Sequence, residues 1–238
     1  MVGIGPGSPL DRTRRAEQAI RESEVVVGYK RYLDLIPDLT AGKELVSSGM
    51  TAETERCREA LALAARGRKV ALVSSGDPGV YGMAGLAIEL AEAEKIEVPI
   101  NIIPGVTAAT AAAAALGAPL MLDFACISLS DLLVPWEEIK ARLEAVAAAD
   151  LVIALYNPKS TKRTWQLQEA ISIIGRHRPA STPAGVVTLA GGDEEQVLVT
   201  DLGRVLEAEV GMRSVIIIGN KTSKRIGRWF VTPRGYKV

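Results

Sequence analysis

Short β-branched runs recur along the chain with helical stretches between them, and this alternation leaves few folds open. The runs are Val2–Ile4, Val25–Val27, Val70–Val73, Ile100–Ile103, Ala125–Leu129, Leu151–Leu155, Gly185–Leu189 and Val215–Ile218. Helical patterns fall near 12–23, 52–66, 79–94, 106–116, 137–148, 161–176 and 201–209. Strands that alternate with helices are joined by crossovers and pair in parallel, so the spacing predicts an α/β fold with a largely parallel sheet.

The pattern changes after Pro119. Val186-Val187-Thr188-Leu189, the turn Gly191-Gly192-Asp193 and Val197-Leu198-Val199 read as a hairpin, which makes the second sheet mixed. The boundary is placed at 118, giving α/β units of 1–118 and 119–238 with no Gly/Ser-rich or Pro-rich linker between them. Tight packing around a shared cleft is the expectation.

Composition removes whole classes of function. Lys+Arg and Asp+Glu both number 28, so no net field draws nucleic acid or an anionic membrane. Two cysteines, Cys57 and Cys126, are too few for a disulfide scaffold, a four-cysteine zinc site or an all-cysteine iron–sulfur cluster, and they suit a reducing, cytoplasmic compartment. Cys57 shares a helical face with Leu61 and Ala64, away from Glu53, Arg56 and Glu59, and reads as a small buried residue. The single histidine, His177, sits at a basic, Pro-terminated helix end and reads as a C-terminal helix charge or a solvated loop residue. A Ser-His-Asp triad, a His-ligated metal and a His general base are thereby excluded, and no metal is expected. Met1-Val2-Gly3-Ile4-Gly5 lacks a basic leader, so no signal peptide is expected. The uncharged stretch Val106–Leu122 is broken by Gly117 and Pro119 and falls short of the roughly 20 apolar residues of a membrane span. It reads as a buried helix and a turn.

Ligands of open α/β sheets bind beyond the carboxyl ends of the strands. Three glycine-containing strand-to-helix turns lie there: Gly3–Pro9, Ser74–Gly82 and Pro104–Ala108. The first is no dinucleotide loop, because Ser8 stands at the third glycine position and the second strand ends in Gly28-Tyr29-Lys30 without an acidic residue. Gly5-Pro6-Gly7 is a stiff bend that would let a bulky ligand approach the backbone, or a turn alone. Asp77, between Gly76 and Pro78 at a helix entrance, can cap exposed amides or face a cationic or hydroxyl-bearing ligand. Gly76, Gly79 and Gly82 around it suggest backbone kept clear for something. Gly191-Gly192-Asp193-Glu194-Glu195 looks like a nucleotide cyclase signature but reads as the hairpin turn. The basic clusters Lys159, Lys162, Arg163 and Lys221, Lys224, Arg225, Arg228 read as solvated surface; facing a site, they would suit a substrate with many carboxylates.

Val2–Pro9, Gly28-Tyr29-Lys30, Ser74–Gly82, Pro104–Ala108, Asp123–Asp131, Tyr156-Asn157-Pro158 and Gly219-Asn220-Lys221, in this order and covering essentially the whole chain, resemble the tetrapyrrole methylases of cobalamin biosynthesis. Ser128-Leu129-Ser130-Asp131 and Tyr156-Asn157-Pro158 point to the branch that methylates precorrin-3B or cobalt-factor III at C(17). The resemblance implies two α/β domains, a homodimer, and S-adenosylmethionine held in the cleft between the domains. The positions it implies for the cofactor are Pro6, Ser75, Gly76, Asp77, Val80, Tyr81, Thr107, Ala108, Tyr156, Asn157 and Ala190. Gly5, Gly7, Ser8 and Lys30 are expected to face the tetrapyrrole.

The implied reaction is a displacement at the methyl carbon, which needs alignment and a dry site more than an acid–base pair. In this branch it is accompanied by ring contraction, expelling one bridging carbon from the macrocycle as an acyl group, and Asp131 and Ser128 are candidates to assist the proton transfers. The alternatives are a sibling methylase acting at another ring position, diphthine synthase, or a ligand-binding protein without catalysis.

Overall fold

In the first part of the chain the β-branched runs become β1 (Val2–Gly3), β2 (Val25–Tyr29), β3 (Glu44–Ser48) and β4 (Val70–Ser74). They interleave with α1 (Arg14–Glu22), α2 (Lys30–Leu33), α3 (Pro37–Thr40), α4 (Glu53–Ala65) and α5 (Ala84–Ala93). The computed structural model describes residues 1–49 and 52–237. The chain divides into two units, Met1–Thr107 and Ala108–Val238.

The sheet of the first unit has the order β1-β4-β2-β3, with every pairing parallel. Alternation along β2 and β4 explains why they read as unbroken apolar runs. Val26, Ala71 and Val73 pack on one face with Ala16, Ile20 and Ile36, while Val25, Val27 and Leu72 pack on the other with Cys57, Ala60 and Leu63. Helix α1 starts because the Thr13 hydroxyl accepts from the Ala16 amide, and it seats Ile20 at 0% exposure, a burial that contributes about 1.5–3 kcal/mol. The run Ile100–Ile103 forms no regular strand; only Ile103 bridges to Val2, between Pro99 and Pro104, which lack the amide that would continue a ladder.

Cys57 is 0% exposed, and burial pushes its thiol up to about 11. The raised folded value means that this group's contribution to stability is complete below the ordinary cysteine value of 9 and is lost between there and 11. Alkylation of Cys57 in the native protein at pH 8 is therefore expected to proceed only after unfolding; mass spectrometry of iodoacetamide-treated protein showing rapid native labelling of Cys57 would contradict this. Arg56, expected on the other face of α4, is instead 4% exposed. Its guanidinium donates to Ser48 Oγ at 2.8 Å and to the Gly49 carbonyl at 2.7 Å.

The second unit holds α6 (Ala108–Leu116), β5 (Gly117–Ala118), β6 (Phe124–Ser128), α7 (Trp136–Ala148), β7 (Val152–Tyr156), α8 (Gln166–Gly175), β8 (Pro183–Thr188), β9 (Gln196–Asp201), β10 (Ser214–Ile218), β11 (Lys224–Ile226) and β12 (Trp229–Val231). Its main sheet runs β6-β7-β10-β8-β9: β6 and β7 are parallel, and β10 is antiparallel to both β7 and β8. The expected hairpin is present as antiparallel β8 and β9. A smaller sheet joins β11, β12 and β5. The division of the chain falls ahead of position 118, so α6 belongs wholly to the second unit. It lies directly on β8, where a Cβ on Gly185 would come 2.4 Å from Leu116 Cδ2. No helix among the described residues is long and apolar enough to cross a membrane.

Candidate active site

At the carboxyl edge of the parallel sheet in the first unit, three loops lie backbone against backbone. The Gly5 amide donates to the Gly76 carbonyl at 3.2 Å and the Gly76 amide to the Gly5 carbonyl at 2.8 Å. The Gly3 amide donates to the Ile103 carbonyl at 3.0 Å and Ile4 to Ser74 at 2.9 Å. Asp77 ties the set together: Oδ1 accepts from the Gly79 amide at 2.8 Å and Oδ2 from the Gly105 amide at 3.0 Å.

This arrangement corrects one sequence inference. The room around Asp77 is filled by the protein's own backbone, since a Cβ on Gly105 would stand 2.1 Å from the Gly76 carbonyl oxygen and one on Gly82 would stand 2.5 Å from that of Pro78. Of Gly79, Gly82 and Gly105, Gly79 is the one that is exposed and without a close backbone neighbour. Helix α5 also starts later than the pattern from 79 suggested, because 78–82 form turns and Ala84 donates to the Pro78 carbonyl at 2.9 Å. Tyr81 protrudes there, 53% exposed, at φ 53°.

The remaining first-unit candidates line the same edge. Gly5 is buried at φ 75°, and Pro6, Gly7 and Ser8 follow half-buried. Ser8 Oγ caps the short helical turn 9–11 by accepting from Leu10. Lys30 is exposed at the start of α2 and pairs with Asp34 at 3.2 Å. Ser75, Val80 and Thr107 are half-buried.

In the second unit, β6, β7 and β8 end on one edge, because β10 runs antiparallel to β7 and β8 and β6 pairs with β7 in the register Ser128↔Tyr156. That edge gathers Ser128, Tyr156, Asn157 and Ala190. The Tyr156 phenol oxygen accepts from the Ala109 amide at 2.8 Å, meeting one of the first-turn amides of α6, whose first residue is Ala108. Ser128 Oγ accepts from Asn157 Nδ2 at 3.0 Å and from the Ser130 amide at 3.2 Å. With both lone pairs engaged, its hydroxyl proton must point away from these partners, making Ser128 an oriented donor. The Asp131 carboxylate is held by Gln166 Nε2 at 2.9 Å and faces Arg163 Nε at 3.8 Å.

Asn157 and Leu189 join Tyr81 with positive φ, at 49° and 57°. These three are among or beside the candidate positions, whereas Lys95 and Asp150, the other described non-glycine residues with positive φ, follow α5 and α7 away from them. The Ser128 hydroxyl, with both lone pairs engaged, can donate its proton to a ligand that carries oxygen acceptors.

The turn 191–195 is a plain hairpin connection, in which the Gly191 amide donates to Glu195 Oε2 at 2.7 Å. His177 lies just beyond α8 and contacts Glu144 of α7 at 2.6 Å. Arg176 and His177 together hold the Glu144 carboxyl below its ordinary value. Among the basic residues expected at the surface, Arg163 departs from the pattern, being 7% exposed. A lone arginine in a run of basic residues carries no local mark of burial, so sequence reasoning missed it.

Fold and site together define an α/β protein whose candidate residues gather at strand-end loops. The sequence model of the family Tetrapyrrole (Corrin/Porphyrin) Methylases matches residues 1–206. A probable cobalt-factor III C(17)-methyltransferase of Salmonella typhimurium is 47% identical over 100% of this chain and 99% of its own length. A precorrin-3B C(17)-methyltransferase of a Sinorhizobium species is 41% identical over 99% of this chain and 96% of its own. Among solved structures, that of the methyltransferase CobJ superposes with a TM-score of 0.91 at 37% identity, covering 98% of both chains. The chain belongs to the tetrapyrrole methylase family.

Proposed function

We propose that this protein methylates precorrin-3B or cobalt-factor III at C(17), with ring contraction, using S-adenosylmethionine. The observation that carries the reading is whole-length similarity to methyltransferases named for both substrates, joined to the strand-end loops bearing Asp77 and Ser128. Precorrin-4 or cobalt-precorrin-4 is then the product. A homodimer and a cytoplasmic location belong to the same proposal.

When bound, S-adenosylmethionine supplies a sulfonium-activated methyl carbon. Pro6, Ser75, Gly76, Asp77, Val80, Tyr81, Thr107, Ala108, Tyr156, Asn157 and Ala190 are proposed to hold it. Gly5, Gly7, Ser8 and Lys30 are proposed to face the macrocycle. These residues align and exclude water, and such positioning accounts for catalysis without a histidine. Of the two groups proposed to assist proton transfer, Ser128 has both lone pairs engaged and a proton left to donate, whereas the Asp131 carboxylate is engaged by Gln166 and Arg163. Ser128 is therefore assigned as a hydrogen-bond donor to ligand and Asp131 to its support.

The test is mass spectrometry of the products formed with S-adenosylmethionine and precorrin-3B in one reaction and cobalt-factor III, anaerobically, in another. A gained methyl group in one reaction establishes the activity and its substrate. No mass change in either, with S-adenosylhomocysteine still bound, would move the substrate to a sibling methylase.

A further inference from the structure

Arg163 reaches two loops at once. One Nη1 atom donates to the Leu129 carbonyl at 3.1 Å and also to the Asn157 carbonyl. Nη2 meets Met212 Sδ at 3.4 Å, and Nε faces Asp131 Oδ1 at 3.8 Å. Its own segment is closed locally, since the Arg163 amide donates to Ser160 Oγ at 3.0 Å and the Ser160 amide to the Arg163 carbonyl at 3.0 Å. The side chain is 8% exposed, so its charge is displaced from water into a set of backbone carbonyls.

We infer that Arg163 is a positioning residue for the cofactor: its guanidinium fixes the spacing between the loop after β6 and the loop after β7, and thereby the Ser128–Asn157 pair. The inference rests on the cofactor reading above. The loop after β6 carries Ser128 and Asp131, and the loop after β7 carries Asn157 in its left-handed conformation. Ser128 Oγ is itself bonded to Asn157, so a change in the distance between the loops turns the hydroxyl. Asp131 serves as the counter-charge that keeps the guanidinium in place, with Gln166 holding its other oxygen. Lysine cannot substitute, because a single ammonium standing where Nη1 meets the two carbonyls leaves Met212 Sδ and the Asp131 carboxylate without the groups that Nη2 and Nε present to them.

The same sheet provides a matched control. Arg178 is 5% exposed and also donates to two carbonyls, those of Gly219 and Leu151. These sit at the opposite edge, beside the start of β7 and the end of β10.

The experiment measures S-adenosylhomocysteine binding by calorimetry, and melting temperature, for wild type, Arg163→Lys and Arg178→Lys. Both variants are expected to melt lower than wild type. Arg163→Lys is expected to weaken binding roughly tenfold or more, the scale of one lost charge-assisted hydrogen bond, while Arg178→Lys stays within about twofold. Binding by Arg163→Lys within twofold of wild type, or an equal loss in Arg178→Lys, overturns the inference. Should Arg163→Lys not fold, Asp131→Asn leaves the guanidinium but removes its counter-charge; weakened binding supports the inference and unchanged binding overturns it. A wild-type chain that binds no S-adenosylhomocysteine sinks the cofactor reading, and this inference with it.

Discussion

Gly105→Ala is expected to lower the melting temperature by roughly 6–12 °C, corresponding to about 3 kcal/mol of overpacking in a chain of this size. The added Cβ would stand 2.1 Å from the Gly76 carbonyl oxygen, 2.9 Å from the Gly3 carbonyl carbon and 3.0 Å from the Gly3 Cα. All three are backbone atoms, so no rotamer change relieves the overlap. Only separation of the loops does, and that pulls on the Gly5–Gly76 bridge and on the Asp77–Gly105 bond. Binding of S-adenosylhomocysteine is expected to be lost along with stability. Gly85→Ala in α5 is the contrast: its Cβ would meet nothing within 4 Å, and the smaller entropy of the unfolded chain should stabilise the protein by about 0.4–1 kcal/mol. A Gly105→Ala protein that melts with wild type would mean that the three loops are not packed as described.

These glycines mark the limit of what the sequence discloses. The strand-end loops were legible, because each β-branched run stops at a glycine-containing turn and ligands of open α/β sheets bind there. What the glycines accommodate was not legible: Gly82 read as backbone kept clear for something, and what lies against it is the Pro78 carbonyl. The β8–β9 hairpin announced itself through alternation and the turn 191–193. Strand β3 did not, since Glu44-Leu45-Val46-Ser47-Ser48 is an edge strand, exposed or half-buried throughout, with no strong apolar run. Arg56, Arg163 and Arg178 were the least legible. Arg163 and Arg178 are buried against carbonyls distant in sequence, Leu129 and Gly219, and arginine carries the same letter whether solvated or enclosed. The loops were therefore readable from the residues themselves, the cofactor positions proposed on them came with the family resemblance, and the groups that hold those loops in place needed the fold.

Asp77→Ala is expected to weaken S-adenosylhomocysteine binding by at least roughly tenfold and to cost about 1–2 kcal/mol of stability, the scale of a lost cap. The carboxylate accepts one amide at each oxygen, Gly79 in its own loop and Gly105 in the loop beyond Ile103. Alanine frees both. Asparagine offers one oxygen, so whichever way its amide turns, its NH2 group opposes a backbone N–H. The exposed Gly79 amide can turn to water, whereas the Gly105 amide is part-buried and lies between two crowded loops. Asp77→Asn should therefore keep one tie and bind with intermediate affinity, ordering the series wild type, Asn, Ala. A charge contact with the ligand alone would instead place Asn and Ala together, since both remove the same negative charge. Calorimetric titration of the three proteins separates these outcomes, and an Asp77→Ala protein that binds as tightly as wild type would remove Asp77 from the cofactor site while leaving its role in the fold to the melting temperature.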